Sequence, residues 1–97
     1  MQIDALQQLD TLVVRTRNST YEVTVVSPRT GDVLVRGGRF FPEPTRARVG
    51  GSSLGSSFLK LRGIYVGFCL EFYYDDRQWI VTSPVQSIAA GPHPGVH

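Results

Sequence analysis

Cysteine is all but missing from this chain. Cys69 stands alone among 97 residues, so no internal disulfide can form, and a disulfide-stapled secreted scaffold is excluded. Long apolar runs are missing as well: nothing approaches the ~20 consecutive apolar residues of a membrane-spanning helix. No basic leader followed by an apolar segment opens the sequence, so the expected location is the cytoplasm, with no membrane partner. Histidine occurs only as His93 and His97, close to the end, and no HxxxH, CxxC or DxDxDG spacing is present. The expectation is therefore no metal and no cofactor.

Catalytic groups are equally sparse. Asp75 and Asp76 are adjacent, which suits a turn better than paired acid-base work. The serines have no base at a telling spacing, and Cys69, in an alternating apolar segment, reads as a strand residue rather than a reactive thiol. A non-enzymatic protein is expected.

Acidic residues are scarce where basic ones gather. From Arg15 to Arg62 there are nine basic residues against Glu22, Asp32 and Glu43, a local charge of 9 − 3 = +6 in a chain whose total is +2. Nine of the ten basic residues are arginine, whose planar fork suits phosphate or carboxylate. A GC-rich coding sequence raises arginine, glycine, valine and proline together, and that reading is preferred to selection for anion binding.

What the chain does have is two-residue alternation. With 41% hydrophobic and 19% charged residues it suits one globular domain, placed at residues 1–89, followed by a loose tail over 90–97. Folding Leu12–Val25 about Asn18 and Ser19 sets Leu12, Val14 and Thr16 against Val25, Val23 and Tyr21, with Arg15 facing Glu22 on the other side. Pro28 to Asp32 reads as a turn with Gly31 in the left-handed position, and Asp32–Arg36 as a third strand. Phe40-Phe41 and Pro42-Glu43-Pro44 read as an anchor and a rigid connection, ahead of a fourth strand, Thr45–Val49, with Arg46 and Arg48 facing solvent. Gly50 to Ser57 reads as a solvated loop, preferred to a phosphate cradle because no Gly-Lys-Ser/Thr follows. Phe58–Arg62 and Tyr65–Tyr74 are further strands, the latter returning after Asp75-Asp76 so that Phe72 opposes Trp79 and Leu70 opposes Val81 in the core, beside Val66 and Phe68. Val85–Ile88 makes a last short strand. Near the start, Ile3, Leu6 and Leu9 are spaced by three and Asp4 precedes Gln7 as in a capping box, which suits one or two helical turns over an open end of the sheet, with an extended entry into the first strand as the alternative.

These signals predict an all-β fold: a small, strongly bent antiparallel barrel, SH3-like or Sm-like, of six to eight short strands with a possible N-terminal helix. A two-sheet sandwich is the alternative. Leu61-Arg62-Gly63 before an alternating strand resembles the end of the second Sm motif. Thr16 to Tyr21, Val35-Arg36-Gly37-Gly38 and Ser83-Pro84-Val85 are similar to segments of small bacterial single-domain all-β proteins of unassigned function, a resemblance that implies no activity.

The expected function is a non-enzymatic binding or self-association module whose partner is itself or another protein. The alternative is nucleic-acid or other polyanion binding through the arginine-rich face. The candidate binding residues are Arg17, Arg46, Arg48, Ser52, Ser53, Lys60, Arg62, Tyr65 and Tyr73. Both tyrosines share the parity of Glu71, opposite to Phe68 and Phe72, and are expected to be exposed.

Overall fold

Seven antiparallel strands and one turn of 3-10 helix appear in a computed structural model that describes residues 1–54, 59–75 and 78–91. The strands are β1 (Thr11–Thr16), β2 (Thr20–Ser27), β3 (Asp32–Gly37), β4 (Phe41–Ser53), β5 (Leu59–Leu61), β6 (Cys69–Tyr74) and β7 (Gln78–Ala90). Pairing runs β1 to β2 to β3 to β4 to β6 to β7 and back to β1, closing a six-stranded barrel, with β5 added on β4. Closure suits a short chain, because it hides strand edges that a small core cannot cover. The bent antiparallel barrel is thus the fold, rather than the sandwich.

Two strands do most of the bending. β4 and β7 are each 13 residues long and change neighbour part-way. β4 bonds β3 through Phe41 and Thr45–Arg48, then passes between β5 and β6 from Gly51 to Ser53. β7 bonds β6 from Gln78 to Pro84 and β1 from Val85 to Ala90. This corrects three expectations. Pro42-Glu43-Pro44 lies within β4 instead of forming a connection, and residues 50–53 continue that strand instead of opening a loop. The final segment is one continuous strand that includes Pro84 and runs through Ala89 and Ala90, instead of a separate short strand over Val85–Ile88. Pro84 fits because it sits at a register shift, where the ladder is already interrupted.

Both hairpins depart from the expected register, and only the first keeps its expected faces. In the first hairpin Val14 opposes Tyr21 and Arg15 opposes Thr20, two residues away from the expected pairing, so the Arg15–Glu22 pair does not form. The cause is local: the Thr16 hydroxyl donates to the Ser19 carbonyl and accepts from the Ser19 N–H, which puts the tip at Arg17-Asn18. A slip of two preserves the faces, and Leu12, Val14, Tyr21, Val23 and Val25 are all buried. Glu22 instead pairs with Arg36 across β2–β3, at 3.2 Å. In the β6–β7 hairpin the slip is one residue. Phe72 opposes Ile80 and Tyr73 opposes Trp79, so Ile80 enters the core while Trp79 and Val81 face outward, contrary to expectation.

The remaining elements close the barrel ends. Gly31 takes φ +80 in the β2–β3 turn, as the sequence predicts. The N-terminal helix is a single 3-10 turn, Ile3–Ala5, with no side-chain cap; the Gln7 N–H goes to Asp10 Oδ2 rather than completing a box with Asp4. Ile3 and Ile64 are nonetheless fully buried, and the Ile3 N–H donates to the Arg62 carbonyl, so this turn lies over one end of the sheet. The expected long strand from Tyr65 begins only at Cys69, the preceding strand is Leu59–Leu61, Val66 is exposed and Phe68 half-buried. Phe41 packs edge-on to Phe72 and Tyr74, with ring centres 5.7 and 5.3 Å away, and Phe72 meets Tyr21 at 6.0 Å. These rings form the aromatic centre of the core. Ser56, Ser57, Phe58, Asp76 and both histidines lie outside the described residues.

Candidate functional site

On the outer face of β4, β6 and β7, one cross-strand row brings together an arginine and two aromatic rings. Arg48 opposes Tyr73, and Tyr73 opposes Trp79. The two rings lie 5.2 Å apart at 37°, with Tyr73 40% and Trp79 54% exposed. Gly50 makes room for this: a Cβ there would lie 2.6 Å from Tyr73 Cε2, so the ring rests directly over the β4 backbone.

Tyr73 and Arg48 form the ridge between two clefts. One, of about 590 Å³, is also lined by Arg46, Asp32 and Asp75; the other, of about 410 Å³, by Arg29 and Arg62. The surrounding side chains carry four positive charges (Arg29, Arg46, Arg48, Arg62) and two negative ones (Asp32, Asp75), a balance of +2. Arg62 Nη1 donates to the Arg29 carbonyl, tying the end of β5 to the β2–β3 turn.

Two carboxyl groups shape this face. Asp32 accepts from the Thr30 hydroxyl at 2.8 Å and from Arg48 Nε at 3.1 Å. The Thr30 hydrogen bond is the largest influence and holds its carboxyl below the ordinary value of 3.8; burial, next in size, pushes the other way, and Arg48 and then Arg46 lower it further. Glu71 is 1% exposed, and its Oε1 accepts the Trp79 indole N–H at 2.9 Å. The sequence placed Glu71 in solvent between two exposed tyrosines. It is buried instead, with Trp79 bonded to it.

Of the nine candidate residues, Arg46, Arg48, Arg62 and Tyr73 converge here. Ser52 and Ser53 do not, being buried in β4, where the Ser52 hydroxyl donates to the Gly63 carbonyl at 2.7 Å. Lys60 Nζ lies 5.3 and 5.6 Å from the Tyr65 and Phe68 rings, and Tyr65 is half-buried with its hydroxyl accepting from Gln2 Nε2. These residues belong to the end of the barrel covered by the N-terminus. There the Met1 ammonium donates to the Ile64 carbonyl, and its pKa is lowered by burial and then by Lys60. Arg17 lies apart at the β1–β2 tip, its N–H bonded to the Pro84 carbonyl. Sequence reasoning missed Arg29 and Trp79. Arg29, in a turn that was correctly read, could have been found by asking which strands that turn overhangs; Trp79 required the right hairpin register.

No protein-family model, curated protein or solved structure matches the chain. Its chemistry is that of an aromatic ridge with guanidinium groups on both sides, which offers a flat π-surface between two anion-binding clefts. Among the described residues no group of three or more His, Cys, Asp or Glu side chains could hold a metal, and no helix is long and apolar enough to cross a membrane.

Proposed function

We propose that this protein is a non-enzymatic binding module that takes single-stranded nucleic acid on the Arg48–Tyr73–Trp79 row. The observation that carries this reading is the position of Tyr73, half-exposed between a cleft bearing Arg46 and one bearing Arg29 and Arg62. A base stacks on Tyr73 or Trp79 while flanking phosphates take the guanidinium groups, and no base-specific contact is required. Aromatic stacking and phosphate pairing give different signatures, which makes the reading testable.

Trp79 is the only tryptophan, so its fluorescence reports on this face without labelling. A short oligonucleotide should quench it, and neutralisation of three or four phosphates predicts a slope of log K against log salt of roughly −2 to −3. Arg46→Ala with Arg48→Ala should flatten that slope. Tyr73→Ala should weaken binding by about 1–3 kcal/mol while leaving the slope unchanged. Absence of quenching at low salt, or quenching indifferent to salt, would rule the reading out.

A further inference from the structure

We infer that the cleft on the Asp32 side of Tyr73 reads guanine, with the Asp32 carboxylate accepting the N1–H and N2–H donors of a base that lies against the tyrosine ring. This rests on the single-strand reading above and adds a base preference to it. The two clefts that meet at Tyr73 are unlike in charge. Arg29, Arg48 and Arg62 line the smaller one and no acidic residue does, a balance of +3. In the larger one Arg46 and Arg48 are matched by Asp32 and Asp75, a balance of 0. A phosphate is therefore drawn to the first cleft, which leaves the second to the neutral base.

Asp32 is held in place for this contact. It opens β3 opposite Arg48 of β4, and the Val49 N–H donates to the carbonyl of the neighbouring Gly31. Its Oδ2 accepts from the Thr30 hydroxyl and its Oδ1 from Arg48 Nε, one bond on each oxygen. A carboxylate has about four acceptor sites, so each oxygen keeps a lone pair for a ligand. The side chain stays 23% exposed. Because its carboxyl titrates below the ordinary carboxylate value, it is ionised at neutral pH and acts only as an acceptor. Asp75 lines the same cleft and reinforces the preference for donors.

Guanine is the base that meets this demand. One of its edges carries two adjacent donors, N1–H and N2–H, at the spacing of the two carboxylate oxygens. Adenine and cytosine set a single amino group beside an acceptor, and thymine sets one N–H between two acceptors. Each of these brings an acceptor against a carboxylate that can donate nothing. Arg46, exposed on the same cleft, is left for the phosphate on the far side of the base. A good bidentate contact to a base discriminates by at least about fivefold.

Short thymine oligonucleotides carrying one central guanine, adenine, cytosine or thymine, titrated against Trp79 fluorescence at low salt, test this directly. Affinity is taken from the midpoint, because guanine itself quenches tryptophan. The guanine strand should bind at least about fivefold more tightly than the other three. Inosine in its place lacks the N2 amino group and should lose that margin, whereas 7-deazaguanine keeps the donor edge and should retain it. Asp32→Asn should abolish the margin while the all-thymine strand binds as well as before or better, since Arg48 is freed. The base analogues keep the inference testable if that variant folds poorly. Equal binding of the four strands, or of guanine and inosine strands, would overturn the inference and leave the single-strand reading standing. Guanosine monophosphate bound at millimolar concentration in preference to adenosine monophosphate, with no strand bound, would overturn the strand and keep the guanine. Binding of neither nucleotide nor strand overturns both.

Discussion

The indole N–H of Trp79 donates to Glu71 Oε1 at 2.9 Å, while Oε2 of the same carboxyl is buried without a hydrogen-bond partner. The first interaction favours the folded chain and the second opposes it. A hydrogen bond involving an ionisable group contributes about 1.5–3 kcal/mol, and an unsatisfied buried oxygen costs a similar amount. Glu71→Leu should therefore change stability by less than about 1 kcal/mol in urea unfolding. It should also release the indole, seen as a red shift and easier acrylamide quenching of Trp79. Glu71→Gln keeps an acceptor and should keep the wild-type emission. A loss above about 3 kcal/mol for Glu71→Leu would contradict this balance.

How the outer face escaped the sequence is a question of register. Alternation with period two assigned Val14, Val23, Val25 and Phe72 to the core correctly, since burial of one face is written into residue type. Which residue opposes which depends on the turn. At the first tip the Thr16 side chain fixes a closure that the hydrophobic pattern cannot distinguish from its neighbour two residues away. At the β6–β7 tip Tyr74 opposes Gln78, leaving three residues between them, and the one-residue difference exchanges Ile80 with its neighbours Trp79 and Val81. Large apolar side chains were taken for core, yet Trp79 also needs an acceptor for its N–H, and Glu71 supplies one only on the outer face. Gly50-Gly51-Ser52-Ser53 resembles a linker by composition, but a strand passing between two neighbours at a bend has use for small side chains, and only the topology reveals that.

Ser52 and Ser53 are both buried in β4 and should respond differently to the same substitution. The Ser52 hydroxyl donates to the Gly63 carbonyl at 2.7 Å, whereas Ser53 Oγ has no partner. Ser52→Ala should cost about 1–2 kcal/mol, because it leaves a buried carbonyl unpaired. Ser53→Ala removes an unsatisfied hydroxyl and should be neutral or slightly stabilising. Paired urea denaturation curves decide the matter, and equal losses at the two positions would contradict the assignment.

Asp32 predicts an acid-sensitive contribution to stability. Its carboxyl titrates below its ordinary value of 3.8 when folded, chiefly through the Thr30 hydroxyl and then Arg48. The unfolded chain takes up this proton first as pH falls, so the stabilisation is present above about pH 4 and fades as pH drops through the lower folded value. Asp32→Asn should therefore be less stable than wild type at pH 7, and the gap should narrow below about pH 4. Arg48 would also lose its carboxylate partner, so the variant should bind an oligonucleotide more tightly at low salt. A stability gap that stays constant with pH would show that the Thr30 and Arg48 contacts do not favour the ionised form.

Gly50→Ala separates the shape of the ridge from its charge. A Cβ at this position would meet Tyr73 Cε2 at 2.6 Å, a separation that carbon atoms do not tolerate. Gly50 has no left-handed φ, so alanine is compatible with its backbone, and the clash falls on a side chain that is 40% exposed and able to swing outward. The fold should survive with a modest loss, while Tyr73 leaves its place between Arg48 and Trp79. Oligonucleotide affinity should then drop toward that of Tyr73→Ala while the salt slope keeps its wild-type value, because every arginine is retained. If instead the slope flattens with the affinity, the ring serves to position Arg48 rather than to stack on a base, and the aromatic part of the proposed site is wrong.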